Sequence, residues 1–181
     1  VYGVGTVTGG QLISGTVSVG DKLLIGPNNN MYEMVQVRSI HCKRVPMTTV
    51  SCGNYVCLGL RKIKRDQIKK GNVIVSEGKE LLVRQFEANI TVMRTNSTTI
   101  KPGYTPVIHT CSIRQSAKII SISDKKNCRK ITTIDDNILR NGDKAIVRFE
   151  FCYKDVFVKP GWKIMLAEGS VKVIGIITQI F

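Results

Sequence analysis

No run in the 181 residues approaches the roughly 18 consecutive apolar positions that a membrane-spanning helix requires, so a soluble protein without a membrane partner is expected. Six cysteines, Cys42, Cys52, Cys57, Cys111, Cys128 and Cys152, form no C-x-x-C pair and no cysteine–histidine spacing of a zinc site. They read as reduced thiols of a cytoplasmic protein, and no metal site is expected. Sequons at Asn89 and Asn96 would matter only in a secretory compartment, which nothing else in the sequence supports. Histidine occurs twice, as His41 and His109 in different halves, and there is no G-x-S-x-G or H-E-x-x-H. The adjacent carboxylates Asp135 and Asp136 sit in a loop and read as a turn or cap rather than as a general acid and base. The phosphate-cradling G-x-x-x-x-G-K-[ST] is missing as well; "GVGTVTGG" is glycine-rich but lacks the Lys-Ser/Thr and precedes no helix. No catalytic residue, cofactor or nucleotide hydrolysis is therefore expected in this chain.

Acidic residues are scarce too, at 13 against 27 basic, and the net charge of +14 favours anionic partners, nucleic acid first. What remains is ordinary globular material: 43% hydrophobic and 22% charged residues are enough to bury a core and too apolar for a disordered chain. The sequence opens on Val1, already inside the pattern "VYGVGTVTGG", and reads as a piece of a longer protein.

Short runs rich in Val, Ile, Thr and Tyr, punctuated by Gly, Asn and Pro, carry a strand signature throughout. "GVGTVTGGQLISG", "TVSVGDKLLIG", "EMVQVRSIHCKRV", "NYVCLGL" and "NVIVS" fill the first part. Strict alternation in the third run puts Met34, Gln36, Arg38 and Ile40 on one side and Val35, Val37 and Ser39 on the other. "VRQFEANITVMR", "VIHTCSIRQSAKIISIS", "KAIVRFEFCYKDVFV" and "VKVIGIITQI" fill the second part, with loops at "TNSTTIKPGYTP" and "DKKNCRKITTIDD". Strands this close together point to closed or nearly closed barrels. We expect an all-β chain of two tandem β-barrels, residues 1–80 and 81–181, divided at "SEGKE" and carrying +6 and +8 respectively. Only "RDQIKKG", started by Asp66 and ended by Gly71, and "DDNILRNGD", capped by Asp136 or Asn137, look like helical turns.

The densest charge lies in "LGLRKIKRDQIKKGNVIVSEG", where Arg61, Lys62, Lys64, Arg65, Lys69 and Lys70 surround Asp66, the one acid between Arg61 and Lys70. It reads either as a phosphate-binding surface or as a solvated turn anchored by Ile63 and Ile68. Tyr55, Tyr104 and Trp162 could stack bases or could cover the core.

"GVGTVTGGQLISGTVSVGDKLLIGP" resembles the start of the second domain of translational GTPases, commonly G-x-G-T-V-x-x-G-x-[IV]-x-x-G-x-[IV]-x-x-G-[DE]. Gly53, Val56, Leu60, Ile63, Ile68, Gly71 and Val73 continue the match in register, with Lys62 where Gly is usual. "GYTPVIHTCSIRQSAKIISI", "LRNGDKAIVRFEF" and "EGSVKVIGIITQI" resemble the third domain. The chain is similar over its whole length to the elongation factor Tu/elongation factor 1 alpha superfamily, and most of all to the GTP-binding protein 1/2 group. "SIHCKR", "LRKIKRDQIKKG" and "IHTCSIRQSA" carry that likeness.

The resemblance implies a domain II-like barrel over 1–80 and a domain III-like barrel over 81–181, following a GTPase domain not in this chain, which would bind GTP and Mg²⁺. It implies aminoacyl-tRNA, the ribosome and that GTPase domain as partners, with no role for DNA. The second domain would hold the aminoacyl end of tRNA and relay GTP state. By position, His41 falls on the strand of the terminal-adenosine pocket and Arg44 where a basic residue follows. Tyr55 and Arg61 fall on its other wall, followed by Lys62, Lys64 and Arg65. His109 and Arg114 fall on the tRNA-facing strands of the third domain. Ala167 to Ser170 replace a run in which the family commonly carries arginines. The alternative is a protein-interaction platform of a GTP-binding factor linked to mRNA turnover or ribosome rescue.

Overall fold

A computed structural model describes residues 5–93, 99–126, 138–168 and 171–181. The chain divides into two compact units, Val1–Glu80 and Leu81–Phe181. Both are built from strands, and among the described residues no helix is long and apolar enough to cross a membrane.

In the first unit, β1 (Thr6–Gln11), β3 (Lys22–Asn28), β4 (Met31–Cys42), β7 (Tyr55–Arg61) and β8 (Val73–Val75) pair in the order β1-β7-β4-β3-β8. The short β5 (Val45–Met47) folds back on β4 as a hairpin. β2 (Thr16–Ser18) and β6 (Thr49–Ser51) form a separate two-stranded ribbon. The sheet curls as a half-barrel over a core of Ile25, Val35, Val37, Ile40, Val56, Leu58, Leu60 and Ile63, which Val17 and Val50 of the ribbon complete. β-branched side chains dominate because they fit the pleated, half-buried surface of a twisted sheet.

The alternation expected along β4 does not hold to its end. Val37 pairs with Leu60 but Ser39 with Gly59, so Arg38 is an extra residue on β4 and the ladder bulges there. The slip reverses the phase: Ile40, assigned by alternation to the side of Met34 and Gln36, is fully buried with Val35 and Val37. The turn in "RDQIKKG" is also placed differently. A single 3-10 turn spans Arg65–Gln67, and Lys64, not Asp66, precedes it. The Gln67 side chain accepts the Lys64 N–H at 2.7 Å and so caps the turn, leaving Asp66 exposed within it.

The second unit is a closed barrel of six antiparallel strands. In chain order they are β9 (Gln85–Val92), β10 (Val107–Thr110), β11 (Ile113–Lys126), β12 (Lys144–Phe151), β13 (Lys163–Glu168) and β14 (Val171–Ile180), joined as β10-β11-β12-β9-β14-β13. Pairing of Ile108 with Leu166 and of His109 with Met165 closes the ring. Closure removes every free strand edge. Phe86, Phe149 and Phe151 fill the interior, with the Phe86 ring 5.2 Å from Phe149 and 5.1 Å from Phe151. Full burial of each ring contributes about 1.5–3 kcal/mol. β11 runs on through Asp124 into the stretch read as a loop; Asp136 and Asn137, and with them that expected cap, lie outside the described residues. Further on, Leu139 bridges Ile100, and a tight turn follows in which Asp143 accepts the Arg140 N–H at 2.8 Å.

Candidate nucleic-acid interface

On the outer face of the first unit, cross-strand register sets Pro46, His41, Cys57 and Gly9 in one row across β5, β4, β7 and β1. Tyr55, two residues before Cys57 and therefore on the same face, lies opposite Gln11 and is 72% exposed. Beside His41, the β4–β5 hairpin turns through Lys43 and Arg44 with φ of 51° and 69°. Both residues of this two-residue turn are left-handed, the geometry that usually selects Asn-Gly, so two exposed cations occupy positions that disfavour them.

Four residues along β7 from Cys57, about 13 Å at the rise of a strand, a second group begins. Arg61 stands opposite Gln36, which in turn stands opposite Lys22, and all three share the outer face. Lys62 follows in the left-handed region at φ 68°, Lys64 precedes the 3-10 turn and Arg65 opens it, all exposed. The backbone conformation explains why glycine is the residue expected at position 62.

Between the two groups lie Val7 and Gly9 on β1, Ser39 on β4, and Cys57 and Gly59 on β7, with the exposed Arg38 at the β4 bulge as the one cation among them. The buried Ser39 Oγ has no hydrogen-bond partner among the described residues. Among the described residues both ion pairs belong to Arg84, which reaches Asp155 at 3.3 Å and Glu150 at 3.9 Å. The described cations of the first unit, Arg38 included, thus stand outside any ion pair. Their arrangement can accept phosphates at both ends of the strip and an aromatic base against Tyr55.

In the second unit, His109 and Arg114 are direct cross-strand partners on β10 and β11. His109 is also opposite Met165, and Met165 opposite Ile174, both about half exposed. Arg114 lines an open cleft of about 430 Å³ with Val107, Gln115, Ser116, Tyr153 and Lys154. Tyr104 and Trp162 pack half-buried against the core of the second unit. Ala167 is exposed on β13 opposite Lys172, whereas Ser170 lies outside the described residues. Among the described thiols, Cys111 has a resolved shift: burial pushes it up, and the hydrogen bond with the Thr110 side chain offsets this only in part.

The structure therefore groups His41, Arg44 and Tyr55 at one end of a face, and Arg61, Lys62, Lys64 and Arg65 at the other. His109 and Arg114 stand together in the separate second unit. Sequence reasoning missed Lys22, Lys43, Tyr153 and Lys154. Lys22 needed the strand register, and Lys43 needed the turn type.

Comparison with known proteins decides the family. The model of elongation factor Tu domain 2 matches residues 5–75, and that of the GTP-eEF1A C-terminal domain-like family matches residues 85–161. The chain belongs to the elongation factor Tu/elongation factor 1-alpha family. The first match falls within the first unit and the second within the second unit. Identity is 37% to GTP-binding protein 1 of Xenopus laevis, over 99% of this chain and 26% of that protein. It is 34% to GTP-binding protein 2 of Homo sapiens, over 98% of this chain and 28% of that protein. For elongation factor 1-alpha of Cenarchaeum symbiosum it is 33%, over 82% of this chain and 34% of that protein. The chain thus spans about a quarter to a third of the length of these relatives.

Proposed function

We propose that the first unit binds the aminoacyl acceptor end of a tRNA, and that in the full-length cytoplasmic protein this binding is coupled to GTP state and delivered to the ribosome. The observation that carries the reading is the outer face of the first unit. His41, Arg44 and Tyr55 meet at one end, Arg61, Lys62, Lys64 and Arg65 at the other, and none of these cations is in an ion pair among the described residues. A single strand could lay its terminal base against Tyr55 and His41 and its phosphates on the two basic ends, with small residues letting the backbone approach. His109 and Arg114 would add contacts from the second unit to the acceptor or T arm.

No residue set in the chain fits GTP or Mg²⁺: the sequence has no phosphate-cradling loop, and no group of three or more His, Cys, Asp or Glu is placed to hold a metal among the described residues. We assign both to the GTPase domain of the parent protein.

A second reading, a docking platform for proteins of mRNA turnover or ribosome rescue, draws support from the exposed Met165, Ile174 and Ile176 on the wall of the second unit.

Titration of the chain with aminoacylated and deacylated tRNA across a salt series tests the proposal. A preference for the aminoacylated form that survives near-physiological salt is expected, and charge reversal at Arg61, Lys64 and Arg65 should abolish it. Equal and steeply salt-dependent binding of both forms would leave only the attraction of a +14 chain for polyanions.

A further inference from the structure

The cleft beside β11 in the second unit is built to present an aromatic ring. The segment after β12, Cys152 to Asp155, is held from several sides. The Cys152 N–H donates to the Ser116 carbonyl at 3.0 Å, and the Arg84 guanidinium bonds the Asp155 carboxylate at 3.3 Å and the Cys152 carbonyl at 3.5 Å. Gln115, only 7% exposed, spends its side-chain amide on the Lys154 carbonyl at 2.7 Å. Yet the residue at the centre of this fixed segment, Tyr153, is 77% exposed. A rigid platform that leaves its largest apolar surface in water lowers the ordering cost of whatever covers that surface.

The chemistry of the cleft selects the occupant. Its two ionisable cations are Arg114 and Lys154, Val107 supplies an apolar wall, and the acid next to it, Asp155, is already neutralised by Arg84. A cationic pair beside an exposed ring fits a ligand with a flat π-face next to an anion. An unpaired nucleotide has both, whereas a duplex turns its bases inward and has no face to offer.

We propose that this cleft binds one unpaired nucleotide of a single-stranded RNA, its base stacked on Tyr153 and its phosphate held by Arg114 and Lys154. This goes beyond the acceptor-end reading, with which it shares only Arg114: it needs no aminoacyl group and no contact with the first unit.

Fluorescence anisotropy of the whole chain with a labelled oligouridine, and with an RNA duplex of equal phosphate number, tests it. Tyr153→Ala should weaken oligouridine binding by about tenfold and leave the duplex unchanged, while Tyr153→Phe should bind as the parent does. Arg114→Gln and Lys154→Gln should each reduce the salt slope by about 0.7. Tyr153 is exposed, so an unchanged melting temperature verifies the fold of each variant. Charge reversal at Arg61, Lys64 and Arg65 should leave the Tyr153-dependent difference intact, which separates this site from that of the first unit. Equal losses on single strand and duplex, no loss in Tyr153→Ala, or equally strong competition by an acidic peptide of the same charge would each overturn the assignment.

Discussion

Lys62 offers a test in which stability and binding move in opposite directions. It sits between Arg61, the last residue of β7, and the buried Ile63, at φ 68°. A left-handed conformation costs a residue with a Cβ about 1–2 kcal/mol. Glycine avoids that cost but gives back about 0.5–1 kcal/mol through the greater freedom of its unfolded chain. Lys62→Gly is therefore expected to stabilise the first unit by about 0.5–1 kcal/mol. For a domain of this size that raises the melting temperature by roughly 2–8 °C. Lys62→Ala keeps the strained backbone and removes the same charge, so its stability should stay near that of the parent. Both variants should bind tRNA more weakly and lose about 0.7–0.9 of the salt slope, provided Lys62 contacts a phosphate. Scanning calorimetry on the whole chain, paired with tRNA titration at several salt concentrations, reads both effects. A lower melting temperature for Lys62→Gly would refute the strain assignment, and unchanged binding in both variants would refute the phosphate contact.

Other substitutions probe the second unit. Phe149→Ala removes a ring stacked on Phe86 in the barrel interior and should cost about 3–5 kcal/mol in urea unfolding. Gly175→Ala should cost about 1–3 kcal/mol in the same assay, because a Cβ on β14 would meet the Asn89 carbonyl and the Ile90 side chain at 2.7 Å. Burial raises the Cys111 thiol, so the folded state holds the proton after the unfolded chain has lost it. Its contribution to stability is complete below about pH 8.5 and falls as the pH rises through the raised value. Alkylation of Cys111, followed by mass spectrometry, should accordingly keep accelerating at a pH where an ordinary thiol has levelled off.

Much of the architecture was legible because strand formation is local: period-two patterns and turn residues mark β-structure without knowledge of partners. The family pattern at Lys62 even pointed to a glycine-type backbone, which the positive φ there explains. Phase was legible only up to the bulge. One extra residue at Arg38 moves Ile40 into the core, and nothing in the hydrophobicity of "QVRSIHC" marks it, because the slip is defined by the partner strand. Tyr153 was missed for a related reason. Phe149 and Phe151 point inward, so alternation sends Tyr153 inward as well, but the chain leaves the ladder at Cys152 and the ring turns to solvent. Lys22 and Arg61 join one row only through Gln36, a relation between three strands that the linear order conceals.

The position of β14 in the barrel sets how late in synthesis the barrel can close. It lies between β9 and β13, and the Thr178 hydroxyl donates to the Glu87 carbonyl 91 residues earlier in the chain. At roughly 5–20 residues per second, a nascent chain holds β9 for several seconds before its neighbour is made. Until β14 is made, β9 keeps one bare hydrogen-bonding edge, and β13, synthesised just before it, adds a second only at the end of that interval. The ring therefore cannot close until its last strand is in place, and both bare edges are covered in that single step.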